Sequence, residues 1–153
     1  MATTTDVSAT ADNWLAEAAP TAAYGGGALI QIGIGGDILE KNGILEFDVS
    51  GFSNPTDIVS AVLTLTATAA VGVGTNAMKI SRLTQSFTEG TSNWNTYDGS
   101  NPWTAGGAAS DIEAGQISYS VNVGTSEDIV LDIRELVVDA IQKRSDTLLL
   151  VMY

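Results

Sequence analysis

The sequence contains no cysteine and no histidine, and only six lysines and arginines against eighteen acids. Without histidine or cysteine there is no Ser–His–Asp triad, no Cys–His nucleophilic pair and no ordinary zinc site. No disulfide can form, so redox chemistry says nothing about compartment. Six scattered cations in a chain of net charge −12 cannot build a stripe that follows phosphates. Nucleic acid is therefore not an expected partner, and an anionic membrane surface would repel the chain. No run of 18 apolar residues is present, so no membrane-spanning helix is expected.

What remains is globular in composition. Hydrophobic residues make up 44% of 153 positions and charged residues 16%, with sixteen glycines. That is enough chain for one domain with a proper core, and abundant Thr, Val, Ser and Gly favour strands and turns. Residues 1–11 offer little to bury and read as an extended N-terminal arm, ahead of a single domain over 12–153. The start lacks the basic and apolar regions of a secretory signal. The expectation is a protein made and kept in a cytoplasm, or one that leaves by lysis.

Period-two alternation recurs along the chain. It marks strands at Asn13–Ala16, Leu29–Ile34, Ile44–Val49, Ile58–Thr68, Met78–Leu83 and Ile117–Val123. In the third of these Leu45, Phe47 and Val49 point inward and Glu46 and Asp48 outward, the pattern of a sheet with one wet face. Turns are expected at Gly35–Asp37, at Asn54–Pro55 and at Gly72–Gly74. Residues 84–116 form a long polar loop rich in aromatics. Asp132 with Glu135 resembles a capping box. Ile133, Leu136, Val137, Ala140 and Ile141 then lie on one helical stripe, closed by Lys143 and Arg144 where the helix dipole favours cations. Thr147–Tyr153 is apolar throughout and reads as a central strand buried on both faces. The expected fold is all-β, a jelly-roll β-sandwich with one short helix over about 132–144.

The order of these pieces resembles the DNRLRE domain, a jelly-roll family related to carbohydrate-binding modules. The resemblance runs over roughly residues 11–153. It is carried by Ala11-Asp12-Asn13-Trp14-Leu15, by Pro20 with Tyr24-Gly25, and by Ile44-Leu45-Glu46-Phe47-Asp48-Val49-Ser50. Ser60-Ala61-Val62-Leu63-Thr64-Leu65, Arg82-Leu83-Thr84 with Phe87-Thr88-Glu89-Gly90 and Trp94-Asn95, and Asp132–Ile141 continue it. The family often has a basic pair before its third motif. Here that stretch is Glu40-Lys41-Asn42-Gly43, and the motif's lysine is Glu46, so a sugar-anion contact from those bases is not carried over. The resemblance implies an adhesive domain. Stand-alone adhesive jelly rolls are typical of tailed-phage virions, which is an argument from fold analogy.

No arrangement of residues points to catalysis. Glu46 and Asp48 share one strand face and read as solvated acids rather than a glycosidase pair. Gly33-Ile34-Gly35-Gly36 lacks the helix a dinucleotide fingerprint needs and reads as a hairpin turn. No cofactor is expected. A structural calcium could be held only by oxygens, with Asp12 and Asp132 as candidates, although both also suit turn and helix caps.

The expected function is therefore non-enzymatic. The first reading is a virion structural protein, a capsid-decorating (cement) or head/tail surface protein. It would bind a capsid or tail protein through Thr3, Thr4, Thr5 and Asp6 and through loop residues Trp94, Tyr97 and Trp103. It is expected to be a homo-oligomer, with a trimer favoured, made in a host cytoplasm and located on the virion. The alternative is a carbohydrate-binding module of an extracellular polysaccharide-active or cell-surface protein. Trp103, which follows Pro102 in a polar stretch, is then the expected exposed stacking surface.

Overall fold

A computed structural model describes residues 3–34, 39–66, 77–113, 119–122 and 128–153. The expected turns at Gly35–Asp37 and Gly72–Gly74 lie outside the described residues, as do Ala67, Thr68, Ile117, Ser118 and Val123.

The protein is an all-β sandwich with a single short helix. Eight strands are present among the described residues: β1 (Ala11–Ala16), β2 (Gly33–Ile34), β3 (Glu40–Asp48), β4 (Val62–Leu65), β5 (Ala77–Arg82), β6 (Tyr119–Asn122), β7 (Ile129–Asp132) and β8 (Thr147–Met152). The helix α1 spans Arg134–Lys143, between β7 and β8. The larger sheet has the order β1-β3-β8-β5-β6, with β2 paired to the start of β3; β4 and β7 form the smaller sheet. All pairings are antiparallel. From β3 to β8 the chain passes repeatedly between the two sheets, the winding of a jelly roll.

The main core lies between the inner face of the larger sheet and a cover made of the smaller sheet and α1. Register puts Leu45 opposite Leu150, Phe47 opposite Leu148, and Ile80 opposite Met152. Leu63 and Leu131 from the smaller sheet and Ile133, Leu136, Val137 and Ala140 from the helical stripe pack onto them. Asp132 accepts a hydrogen bond from the Arg134 backbone N–H at 3.0 Å. It thus caps the helix entry from just outside, although the side chain at the N-cap position, Ile133, makes no capping bond. On β4 Leu63 is buried and Val62 and Thr64 are exposed, as the alternation read over Ile58–Thr68 implies. As read from its composition, β8 is central, between β3 and β5.

Three expectations are corrected. The strand read at Ile58–Thr68 is reduced to Val62–Leu65, residues 58–61 and 66 being outside any strand. The strand read at Leu29–Ile34 is reduced to Gly33–Ile34. Ile30 and Ile32 do pack on the main core, but Ile34 is exposed, so the three do not share one buried face. The third concerns the wet outer face. It is wet only at the Glu46–Asp48 end of β3, where Asp48 is exposed. At the other end Ile44 is fully buried, in a second core with Leu15, Leu83, Phe87, Trp103, Ala108 and Val151. The larger sheet is therefore covered on both sides there, by residues 84–113 on the outside. Period-two alternation reports a half-buried strand only when no loop folds back over it.

Candidate functional site

Residues 84–113 form a cap on the outer face of the larger sheet. The cap leaves and re-enters the sheet at one place. Leu83 and Ile112 are bridged, and the Thr84 N–H and hydroxyl both donate to the Asp111 carbonyl at 2.8 Å. Inside, the cap is held by its own turns. Asn93 Oδ1 accepts from the Asn95 and Thr96 N–H groups, and Asp98 Oδ1 from those of Ser100 and Asn101. The bonds to Asp98, with that of the Asn101 side chain on Oδ2, hold its carboxyl below the ordinary range, the Asn101 backbone contributing most.

Two buried asparagines on the sheet anchor the cap. Asn13 of β1 and Asn42 of β3 point to the same outer face as Leu15 and Ile44, because Asn13 pairs with Ile44 and Leu15 with Asn42. Asn42 Nδ2 donates to the Gly107 carbonyl at 2.8 Å. Asn13 Nδ2 donates to the Ser92 carbonyl and hydroxyl, and its Oδ1 accepts from the Trp14 and Tyr24 N–H groups. A buried amide with its donors and acceptor used is specific as well as stabilising.

The three loop aromatics are thereby placed, and one expectation fails. Trp103 is only 4% exposed. Its Nε1–H donates to the Asn93 carbonyl at 2.8 Å and its ring meets Tyr97 edge-on at 5.7 Å. It is a core residue of the cap, not an exposed stacking surface. A Pro–Trp step in a polar stretch looks exposed because the sheet it packs on is remote in sequence. Trp94 and Tyr97 are half-buried against the same core. Trp94 lies on the Gly106–Gly107 backbone. A Cβ at Gly107, whose φ is +81°, would stand 2.6 Å from the indole.

A different aromatic pair lies nearer the surface. Trp14 on edge strand β1 and Tyr24 in the following loop stack with ring centroids 3.8 Å apart. Lys41 Nζ sits 5.7 Å from the Trp14 ring centre and donates to Gln31 Oε1. The pair lines an open groove of about 470 Å³ with Gly26, Gly27, Leu29 and Gln31. Both aromatics belong to family-like motifs in the sequence. Their meeting was not foreseen, because it depends on Asn13 fixing the Tyr24 backbone.

The arm residues Thr3, Thr4, Thr5 and Asp6 are all exposed, and residues 3–9 have no regular secondary structure. Among the described residues none of these seven makes a hydrogen bond to the domain. Hydrogen bonding to the domain begins at Thr10, whose N–H donates to the Glu46 carbonyl at 2.8 Å. Arm and cap aromatics are thus not gathered into one side-chain cluster.

The acids stand apart. Asp12 lies on β1 of the larger sheet and Asp132 on β7 of the smaller. Among the described residues no three Asp or Glu side chains are grouped as metal ligands would be. Asp48 is exposed, and its carboxyl is held low by the Ser50 hydroxyl and backbone N–H. No helix of the described residues is long and apolar enough to cross a membrane. No protein-family model matches the chain, and no curated protein matches its sequence.

Proposed function

We propose that the chain is a non-enzymatic structural protein of a virion surface, a capsid-decorating or head–tail protein. The observation that carries this reading is the arm. Seven consecutive residues, 3–9, stand exposed and unbonded directly ahead of an edge strand whose own first contact, Thr10 to Glu46, is well made. A segment that makes no hydrogen bond to its own domain, and in which Val7 at 38% exposure is the one large apolar side chain, is suited to burial on a neighbour. On a symmetric shell each modest arm contact is repeated at every equivalent site, so weak contacts suffice. The acidic body keeps decorated particles apart in solution.

The test is decoration by a chain lacking residues 2–9, with Thr10 kept. Loss of occupancy on shells, at unchanged unfolding midpoint, is the expected result. Full decoration by the truncated chain would sink the reading.

A second reading, a carbohydrate-binding module, is favoured by the Trp14–Tyr24 groove, since Trp103 is buried within the cap. Its test is a glycan array read with Gly26→Leu. Gly26 lines the groove and a Cβ there would meet nothing within 4 Å, so the side chain starts into open space, and an unchanged urea midpoint is required of the variant. Glycan binding abolished by that substitution supports the second reading; a blank array removes it.

A further inference from the structure

We infer that the cap, residues 84–113, opens as one unit on an otherwise intact sandwich, and that Glu113 is the clasp that holds it shut. Three of the six lysines and arginines of this acidic chain, Arg82, Lys143 and Arg144, gather at the cap's neck around two carboxylates, Glu113 and Asp139. Arg82, at the end of β5, is only 2% exposed and ion-pairs with Asp139. Its guanidinium also donates to the Leu136 carbonyl of α1 at 3.1 Å. Burial, and then the nearby Arg144, pull that guanidinium below its ordinary value. Glu113 closes the neck between them. Its carboxylate lies 3.6 Å from Arg82 and pairs with Arg144 at the end of α1, while its N–H donates to the Arg82 carbonyl.

The rest of the attachment is of a kind that can let go together. Among the described residues no β-ladder joins the cap to the sheet beyond the single Leu83–Ile112 bridge. Away from the neck, among the described residues, one backbone hydrogen bond crosses, from Asn95 N–H to the Pro20 carbonyl. The other links are the Asn13 and Asn42 side chains and apolar contact. Within the cap, by contrast, the backbone is bonded to itself, from Thr88 to Tyr97, Asn93 to Thr96, Trp103 to Asn95 and Gly107 to Trp94. Dense bonding within and sparse bonding across is the arrangement of a cooperative unit that opens below the global unfolding free energy. Opening bares Leu15, Ile44 and Val151 as an apolar strip on the outer face.

Hydrogen exchange on the full chain tests this. In the wild type the amides of Thr88, Asn93, Trp103 and Gly107 exchange at one shared opening rate, faster than those of Ile44 and Leu150. Glu113→Gln speeds the cap amides by up to about fivefold and leaves the sheet amides unchanged. Arg144→Gln, which removes the same pair from the helix side, reproduces the effect, as does about 1 M NaCl, where the screening length falls to about 3 Å. The inference is overturned if cap and sheet amides exchange together in the wild type, or if Glu113→Gln speeds both alike.

Discussion

The carboxamide nitrogen of Asn13 donates to both the carbonyl and the hydroxyl oxygen of Ser92, at 2.8 and 2.7 Å, across 79 residues of sequence. One side chain thus joins the edge strand of the sheet to the cap, while its oxygen holds the loop that carries Tyr24. Asn13→Leu keeps the branching of the side chain, with bulkier methyl ends, and removes every bond. It leaves the Tyr24 N–H and both Ser92 oxygens without these partners, and we expect a loss of about 2–4 kcal/mol in urea unfolding. A loss below about 0.5 kcal/mol would show the bonds to be replaceable by water.

Neighbouring glycines should behave oppositely. A Cβ at Gly25 would stand 2.2 Å from the Glu89 carbonyl oxygen, a backbone atom, whereas one at Gly26 meets nothing. Gly25→Ala is expected to destabilise by about 1–3 kcal/mol and Gly26→Ala to stay within about 0.5 kcal/mol of the wild type. Paired denaturation curves decide it.

Trp103→Ala should cost about 3–5 kcal/mol, because it empties a buried site and strands the Asn93 carbonyl. Any binding lost with this variant should track the unfolded fraction, which circular dichroism at the same temperature measures. Retained stability would place Trp103 on the surface after all.

Removing residues 2–9 should leave the urea midpoint unchanged, since the Thr10–Glu46 contact stays and the deleted side chains are exposed where described. A shift of the midpoint would mean that the arm packs on its own domain in solution.

Acid should weaken the fold through Asp98 and Asp48, both held below the ordinary value of 3.8. The unfolded chain then binds more protons than the folded one in the window below 3.8. Their contribution is present above that value and is lost as pH falls through the folded-state value. Asp98→Asn should flatten this part of the pH–stability profile; an unchanged slope would show that the turn at 98–101 does not carry it.

How much of this was legible in the sequence depended on how local the cause was. The helical stripe from Ile133 to Ile141 and the facing of Leu63 against Val62 are set by spacing alone, and both are visible in the letters. The apolar run of β8 likewise implies a central position. The start of β3 was not legible. Asn42-Gly43 does not look like strand, yet Asn42 binds the Gly107 carbonyl, and a Cβ at Gly43 would come within 2.8 Å of Ile30 and Met152. Both reasons lie far away in the chain. Trp103 failed for the same reason, since its burial is decided by Ile44, Leu15 and Val151 rather than by its polar neighbours. The Trp14–Tyr24 groove required knowing where Asn13 points. The arm alone could be proposed from what it lacks.

The bridge between Leu83 and Ile112 has a use in protein engineering. Residues bridged in this way stand about 5 Å apart, so the twenty-eight residues they enclose form a cassette with adjoining ends. A short turn could be spliced there without rerouting any strand. Such a trimmed scaffold would have to be repainted at the same time, with polar side chains at Leu15, Ile44 and Val151, or it would aggregate through the surface the cassette had kept dry.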